Sequence, residues 1–359
     1  MRRRARGATR PAEGTGRPAG AWLLFALLAA VLAGGAVASL TLGAVAVAPG
    51  AVWKIVLHHL GLGGAEGFTL QEEAVVWSIR LPRLLLAALT GAGLGMAGAA
   101  LQGVFRNPLA DPQLIGVSSG AAFGSTVGLA VFGTAAWGLA GPLFGVLGGL
   151  AAGAVVYVLS RHQGRTEVVT MVLAGIAVTA VGIAGAALLG YSLRRPELRT
   201  PLFWSLGSLS VATWRLVALT APLVTVSLVA LPFLARSLDV MLLGDGQARS
   251  VGVAVERVRG LAAGLAVLAA SATVSAAGVI GFVGLLAPHA VRLTAGPAHR
   301  RVLPGGALAG AGLVVLADLA ARTLASPLEV PVGLITAVLG GPVFLWLLRR
   351  TRTLHGGWG

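Results

Sequence analysis

The sequence predicts an all-α polytopic membrane protein with about ten transmembrane helices and both termini cytoplasmic. Three observations carry that expectation: 56% of the 359 residues are hydrophobic, only 11% are charged, and the arginines punctuate long apolar runs. A soluble domain carries about 25% charged residues, whereas a membrane span needs roughly 20 consecutive apolar ones. The formal charge of +15 would suit a nucleic-acid binder if the basic residues clustered on a polar domain. They are spread between apolar segments instead, so no nucleic-acid partner is expected and the basic residues read as topology signals beside membrane lipid.

The first 20 residues hold six arginines, Arg2 to Arg17, and read as a basic cytoplasmic tail. The apolar run from Trp22 to Val47 follows. A cleavable signal peptide has an apolar region of about 7 to 15 residues, so this longer run reads as a retained first helix; Ala36 and Ala38 are the small residues a cleavage site would use. Later apolar segments, broken by charges and Pro/Gly clusters, predict helices near 81–104, 114–133, 136–159, 168–190, 216–235, 258–279, 281–294, 303–322 and 330–348. With the first they make ten, and residues 21–350 form one transmembrane domain before a short cytoplasmic tail, 351–359. The 281–294 segment is too short to cross about 30 Å of hydrocarbon at 1.5 Å per residue and is expected inside the bundle.

Placing the amino terminus inside puts nineteen basic residues on the cytoplasmic side. Eight fall outside: Lys54, Arg80, Arg83, Arg194, Arg195, Arg199, Arg215 and Arg322. That asymmetry obeys the positive-inside rule. Glycines recur at 91, 93, 95 and 98 and again at 305, 306, 310 and 312. In lipid such faces let helix backbones approach closely; lining of a pathway is the competing reading.

Chemistry can be bounded by what is missing. A phosphate-binding loop needs G-x-x-x-x-G-K-[ST], and the only lysine, Lys54, lies between Trp53 and Ile55. Any ATP hydrolysis must therefore belong to another chain, and no catalytic, cofactor or metal residue is expected here. There is no cysteine, and the six histidines show no ligand spacing. Gly116-Val-Ser-Ser-Gly120 matches G-x-S-x-G, but a nucleophile elbow needs a strand before it; Ser118 and Ser119 read as a capping turn. Ion-coupled carriers place titratable groups within their spans, and only Asp318 stands out, with Arg322 one turn later. The pair reads as a helix-end ion pair or as a charged outer surface for a partner. Between Arg236 and Arg257 lies a polar, Gly-broken stretch on the cytoplasmic side, expected to form short surface helices that dock a soluble partner.

Several segments together resemble the permease subunits of ABC importers for ferric siderophores, haem and cobalamin. The resemblance rests on Arg80-Leu-Pro-Arg83, Gly91-Ala-Gly-Leu-Gly-Met-Ala-Gly98, Gln102, Arg106-Asn-Pro-Leu-Ala-Asp-Pro112 and Leu114-Ile-Gly-Val-Ser-Ser-Gly-Ala121. It continues through Leu243-Gly-Asp245, Gly281-Phe-Val-Gly-Leu-Leu-Ala-Pro-His289, Asp318, Arg322, Pro331-Val-Gly333 and Gly340-Gly-Pro342. It implies a homodimer of ten-helix subunits on two ATPase subunits, which hold ATP and Mg, fed by a periplasmic or lipid-anchored substrate-binding protein. Arg80, Arg83 and Arg322 would dock that binding protein. Leu243, Gly244, Asp245, Ala248 and Gly252 would couple to the ATPase, with Val251 where leucine is commoner, and Val168 and Val169 would stand at the inner gate. The cargo expected is ferric siderophore or haem, with cobalamin third.

Overall fold

The computed structural model describes residues 18–133, 137–162, 165–192, 206–325 and 328–354. Of the expected elements, most of both tails and the basic residues Arg194, Arg195 and Arg199 lie outside them.

Fourteen α-helices are described: α1 (Pro18–Thr41), α2 (Pro49–His59), α3 (Leu70–Glu73), α4 (Leu81–Phe105), α5 (Val117–Phe132), α6 (Trp137–Leu159), α7 (Val168–Ser192) and α8 (Trp214–Ala230). They continue with α9 (Ala235–Met241), α10 (Asp245–Ser250), α11 (Val255–Ala277), α12 (Val283–Ala295), α13 (His299–Thr323) and α14 (Val332–Leu354). A two-residue hairpin, Arg161–His162 against Arg165–Thr166, joins α6 to α7. Seven described helices are long and apolar enough to cross a membrane, so the polytopic character holds.

Helices α4, α11 and α13 form the centre, and α1 and α7 lie outside it with few of their residues buried. The reason is legible in side-chain size. A Cβ at Gly95 would sit 2.1 Å from the Gly306 carbonyl oxygen, and one at Gly91 the same distance from that of Gly310. Two glycine pairs spaced by four therefore bring α4 and α13 into backbone contact, the small-residue packing that operates without water. Gly98 meets the carbonyl of Gly284 in α12 as closely, so Gly91, Gly95, Gly98, Gly306 and Gly310 serve packing. Gly120 and Gly124 do the same for α5 against Gly148 and Phe144 of α6.

Helix α12 is 13 residues long and buries Val283, Leu285, Ala287, Pro288 and Val291, as its length required. Phe282 before it has φ +66°, and its ring packs where α14 passes with Gly340. The chain ahead of α4 departs from expectation. The helix runs back through a π-helical turn, Ala74–Arg80, to α3, which opens on a capping box between Thr69 and Glu72. That start signal, T-x-x-E, stands in the sequence, but Glu72 and Glu73 disguise it as a loop. Helix α2, begun by Pro49, was likewise not foreseen.

Candidate functional sites at the two ends of the bundle

One end gathers Arg80, Arg83, Asp318, Arg322 and Glu329. Arg83 donates from Nε to both oxygens of Asp318, at 2.9 and 3.2 Å, and from a terminal nitrogen to both oxygens of Glu329 at 3.0 Å. Arg322 Nε lies 3.8 Å from Asp318, so the expected i, i+4 pair is present but is the weaker of the two. Arg322 also donates to the hydroxyl and carbonyl of Ser39 and to the Leu42 carbonyl, while Arg80 donates to the carbonyls of Leu40 and Val45. These carbonyls end α1 or follow it. The last four carbonyls of a helix have no intrahelical donor, and a cation there also meets the negative end of the helix dipole.

The sequence expectation put the three guanidinium groups on an open outer face. In the structure they turn inward: Arg80 and Arg83 are buried, Arg322 is half-buried, and all three have internal acceptors. The physical reason is that the carbonyls at the end of α1 have no intrahelical donor and that the buried Asp318 needs a cation beside it. Glu329, whose side chain is 45% exposed, is the open member of the group. Nothing in the local sequence marks Arg83 as Asp318's partner, because 235 positions separate them.

The other end holds the stretch between α8 and α11. Helix α9 stops before Gly244, which has φ +122°, and α10 is closed by Gly252 at φ +85°; glycine alone takes such backbone without strain. Ala248 is buried, while Leu243 and Val251 are exposed on either side of α10. Asp245, the first residue of α10, is the anchor. It accepts two bonds from Arg259 of α11 at 3.0 Å and one from Arg106, which ends α4 in a left-handed conformation; Arg249 is 3.9 Å away. Arg259 also donates to Glu256 at 2.7 Å. His299, buried at the start of α13, receives a second strap: Asp239 of α9 accepts from its backbone N–H at 2.8 Å and contacts its Nδ1 at 2.7 Å.

One turn before Arg106, Gln102 donates to the Gly284 carbonyl at 3.1 Å and accepts from Arg292. Asp111, in the connection between α4 and α5, accepts from the backbone of Gln113 at 2.9 Å. Burial pushes its carboxyl up to about 6, against the pull of that bond. Ser119 donates to the Gly116 carbonyl at 2.9 Å, a turn at a helix start without nucleophile geometry. Val168 is half-buried and Val169 exposed at the start of α7. Among the described residues no group of three metal-ligating side chains occurs.

The model of the FecCD transport family matches residues 27–350. The chain belongs to that family. The hemin transport system permease protein of Yersinia pestis is 41% identical over 79% of this chain and 85% of its own length. The cobalamin import system permease protein of Halobacterium salinarum is 43% identical over 77% and 74%. A solved structure described as an inward-facing conformation of a metal-chelate type ABC transporter superposes with a TM-score of 0.77 at 30% identity, covering 92% of this chain and 99% of that one. This family member is an ABC transporter permease, a multi-pass membrane protein whose role is transport rather than catalysis.

Proposed function

We propose that this permease imports ferric siderophore or haem across the cytoplasmic membrane, crossing it ten times with both termini inside. Two copies pair, and two separate ATPase subunits supply ATP hydrolysis with their own Mg. The binding protein that delivers cargo is periplasmic or lipid-anchored and docks at the end that holds Arg80, Arg83 and Arg322.

The observation that carries the reading is the stretch around α10. It offers exposed Leu243 and Val251 flanking a short helix whose first residue is tied to two other helices through Arg106 and Arg259. An apolar tip suits docking on a soluble partner, and a tethered one transmits force that a free loop would absorb. The absence of a phosphate-binding loop in the sequence assigns the energy source to that partner. A second reading, cobalamin import, is favoured by the 43% identity to a permease named for that cargo.

The test is uptake into vesicles containing the permease with its ATPase and binding protein. Iron-labelled haem and ferric siderophore are offered beside labelled cobalamin, with and without internal ATP. The reading expects ATP-dependent accumulation of an iron chelate; cobalamin alone accumulating would replace the cargo, and proton-driven accumulation without ATP would remove the ABC reading.

A further inference from the structure

Asp245 does more than fix α10. Its partner Arg259 is buried, with a side chain only 4% exposed, and holds a second carboxylate, Glu256, through its other terminal nitrogen at 2.7 Å. The free oxygen of Glu256 accepts a bond from the Thr166 hydroxyl at 2.9 Å. Thr166 is itself buried, and it ends the hairpin two residues before α7 begins at Val168. Four side chains from three separate segments thus make an unbroken polar chain from α10 to the residues that lead into α7, and α10 has no comparable route to α7 through the backbone, since Thr166 and Asp245 are 79 positions apart.

We infer that Glu256 and Thr166 are positioning residues that relay movement of the ATPase-facing helix α10 to the cytoplasmic end of α7 within one subunit. The inference rests on the coupling and gate assignments proposed above and specifies how they communicate. Packing alone would be a weak transmitter here, because few residues of α7 are buried and its main contacts run to α5, α6 and the turn at Pro112–Ile115 rather than to α10. A hydrogen-bonded chain anchored by a buried guanidinium is directional and stiff, since displacing Asp245 removes one of the two carboxylates that satisfy Arg259 and leaves a buried donor without its acceptor, which favours movement of the guanidinium and of Glu256 with it. Arg106 branches from the same carboxylate to α4, so one carboxylate gathers the central helix and the peripheral one.

The chain has no cysteine, so Val169→Cys introduces a single thiol at the start of α7. The permease carrying it, assembled with its ATPase in vesicles, is treated with fluorescein maleimide with and without ATP plus vanadate. The parent is expected to change its labelling rate about fivefold between the two states, at the lower end of ordinary coupling energies. Thr166→Val should reduce the change to background while ATP hydrolysis continues, and Thr166→Ser should restore it; Glu256→Gln should resemble Thr166→Val. Thr166→Val that keeps the full nucleotide response, or Thr166→Ser that fails to restore it, would overturn the relay. Leu243→Asp separates the relay from the reading beneath it. If Leu243→Asp removes ATPase binding and the labelling response while Thr166→Val leaves both intact, only the relay falls. A parent without any nucleotide response overturns the gate assignment and the relay with it. Co-purification of each variant with the ATPase screens for misfolding, and Glu256→Gln takes the place of Thr166→Val where that variant does not assemble.

Discussion

Arg83 and Asp318 form the central ion pair of one end of the bundle, joining α4 to α13 through two hydrogen bonds from a single nitrogen. Asp318 is 1% exposed, so its charge is balanced by protein groups alone. Breaking a buried pair by removing one partner costs about 3–5 kcal/mol, whereas removing both with apolar groups of similar size can be nearly neutral. Arg83→Met alone should lower the thermal midpoint of the detergent-solubilised protein sharply, and Arg83→Met with Asp318→Leu should recover part of the loss. A double variant as unstable as the sum of the singles would show that the two residues do not act as a pair.

Docking at this end is predicted to depend on Glu329 as well as on the arginines. Arg80→Glu and Arg322→Glu would face α1's terminal carbonyls with a second acceptor, so both should reduce expression rather than weaken docking selectively. Glu329→Gln disturbs less, because that carboxylate is exposed and holds only one edge of Arg83. Arg83 stays held by Asp318, but its terminal nitrogen is left without a carboxylate and can pair with a partner's, so affinity for the binding protein should rise about two- to fivefold at low salt and less at high salt. Affinity unchanged at both salt concentrations would argue against Arg83 as a docking residue.

The glycine contacts predict a sharp contrast between positions on the same fold. Gly95→Ala places a methyl group against the Gly306 carbonyl oxygen, and no side-chain rotation relieves it, because both contacting groups are backbone. Separation of α4 from α13 and a large fall in the thermal midpoint are expected. Gly264→Ala in α11 meets nothing within 4 Å and should be neutral or stabilising by at most about 1 kcal/mol, the helix-propensity difference. Equal effects at the two sites in a thermal-shift assay would contradict the packing described.

Asp111 predicts a pH dependence of unusual sign for a carboxylate. Its pKa in the folded protein, about 6, lies above the ordinary 3.8 because burial disfavours the charged form. The folded state therefore binds this proton more tightly than the unfolded state. The associated stability is fully present below about pH 4 and is lost as pH rises through 6. Asp111→Asn keeps an acceptor for the Gln113 N–H and should flatten the stability profile between pH 4 and 7. A profile unchanged by the substitution would show that Asp111 does not titrate in this window.

Much of the fold was legible because burial in lipid forces long apolar runs, and the runs near 168–190 and 303–322 became α7 and α13 with their ends shifted by a few residues. The short 281–294 segment was readable from length alone, since 14 residues cannot span the hydrocarbon. Gly244 and Gly252 were readable as helix breaks because positive φ favours glycine. The turn into α3 was readable in principle from Thr69 and Glu72, yet acidic residues beside an apolar run look like a loop when only hydropathy is followed.

By itself the sequence showed that the chain lives in a membrane, that it holds no G-x-x-x-x-G-K-[ST] motif, and where charged residues interrupt the apolar runs. It could do so because composition, periodicity and missing motifs are local properties that need no partner across the fold. Only the tertiary structure decided that Arg83 belongs to Asp318, that Arg80 and Arg322 terminate α1, and that Asp245 reaches Thr166 through Arg259 and Glu256. Each of those depends on which helices lie side by side, which is set by where glycines let backbones touch and where a buried charge finds its complement.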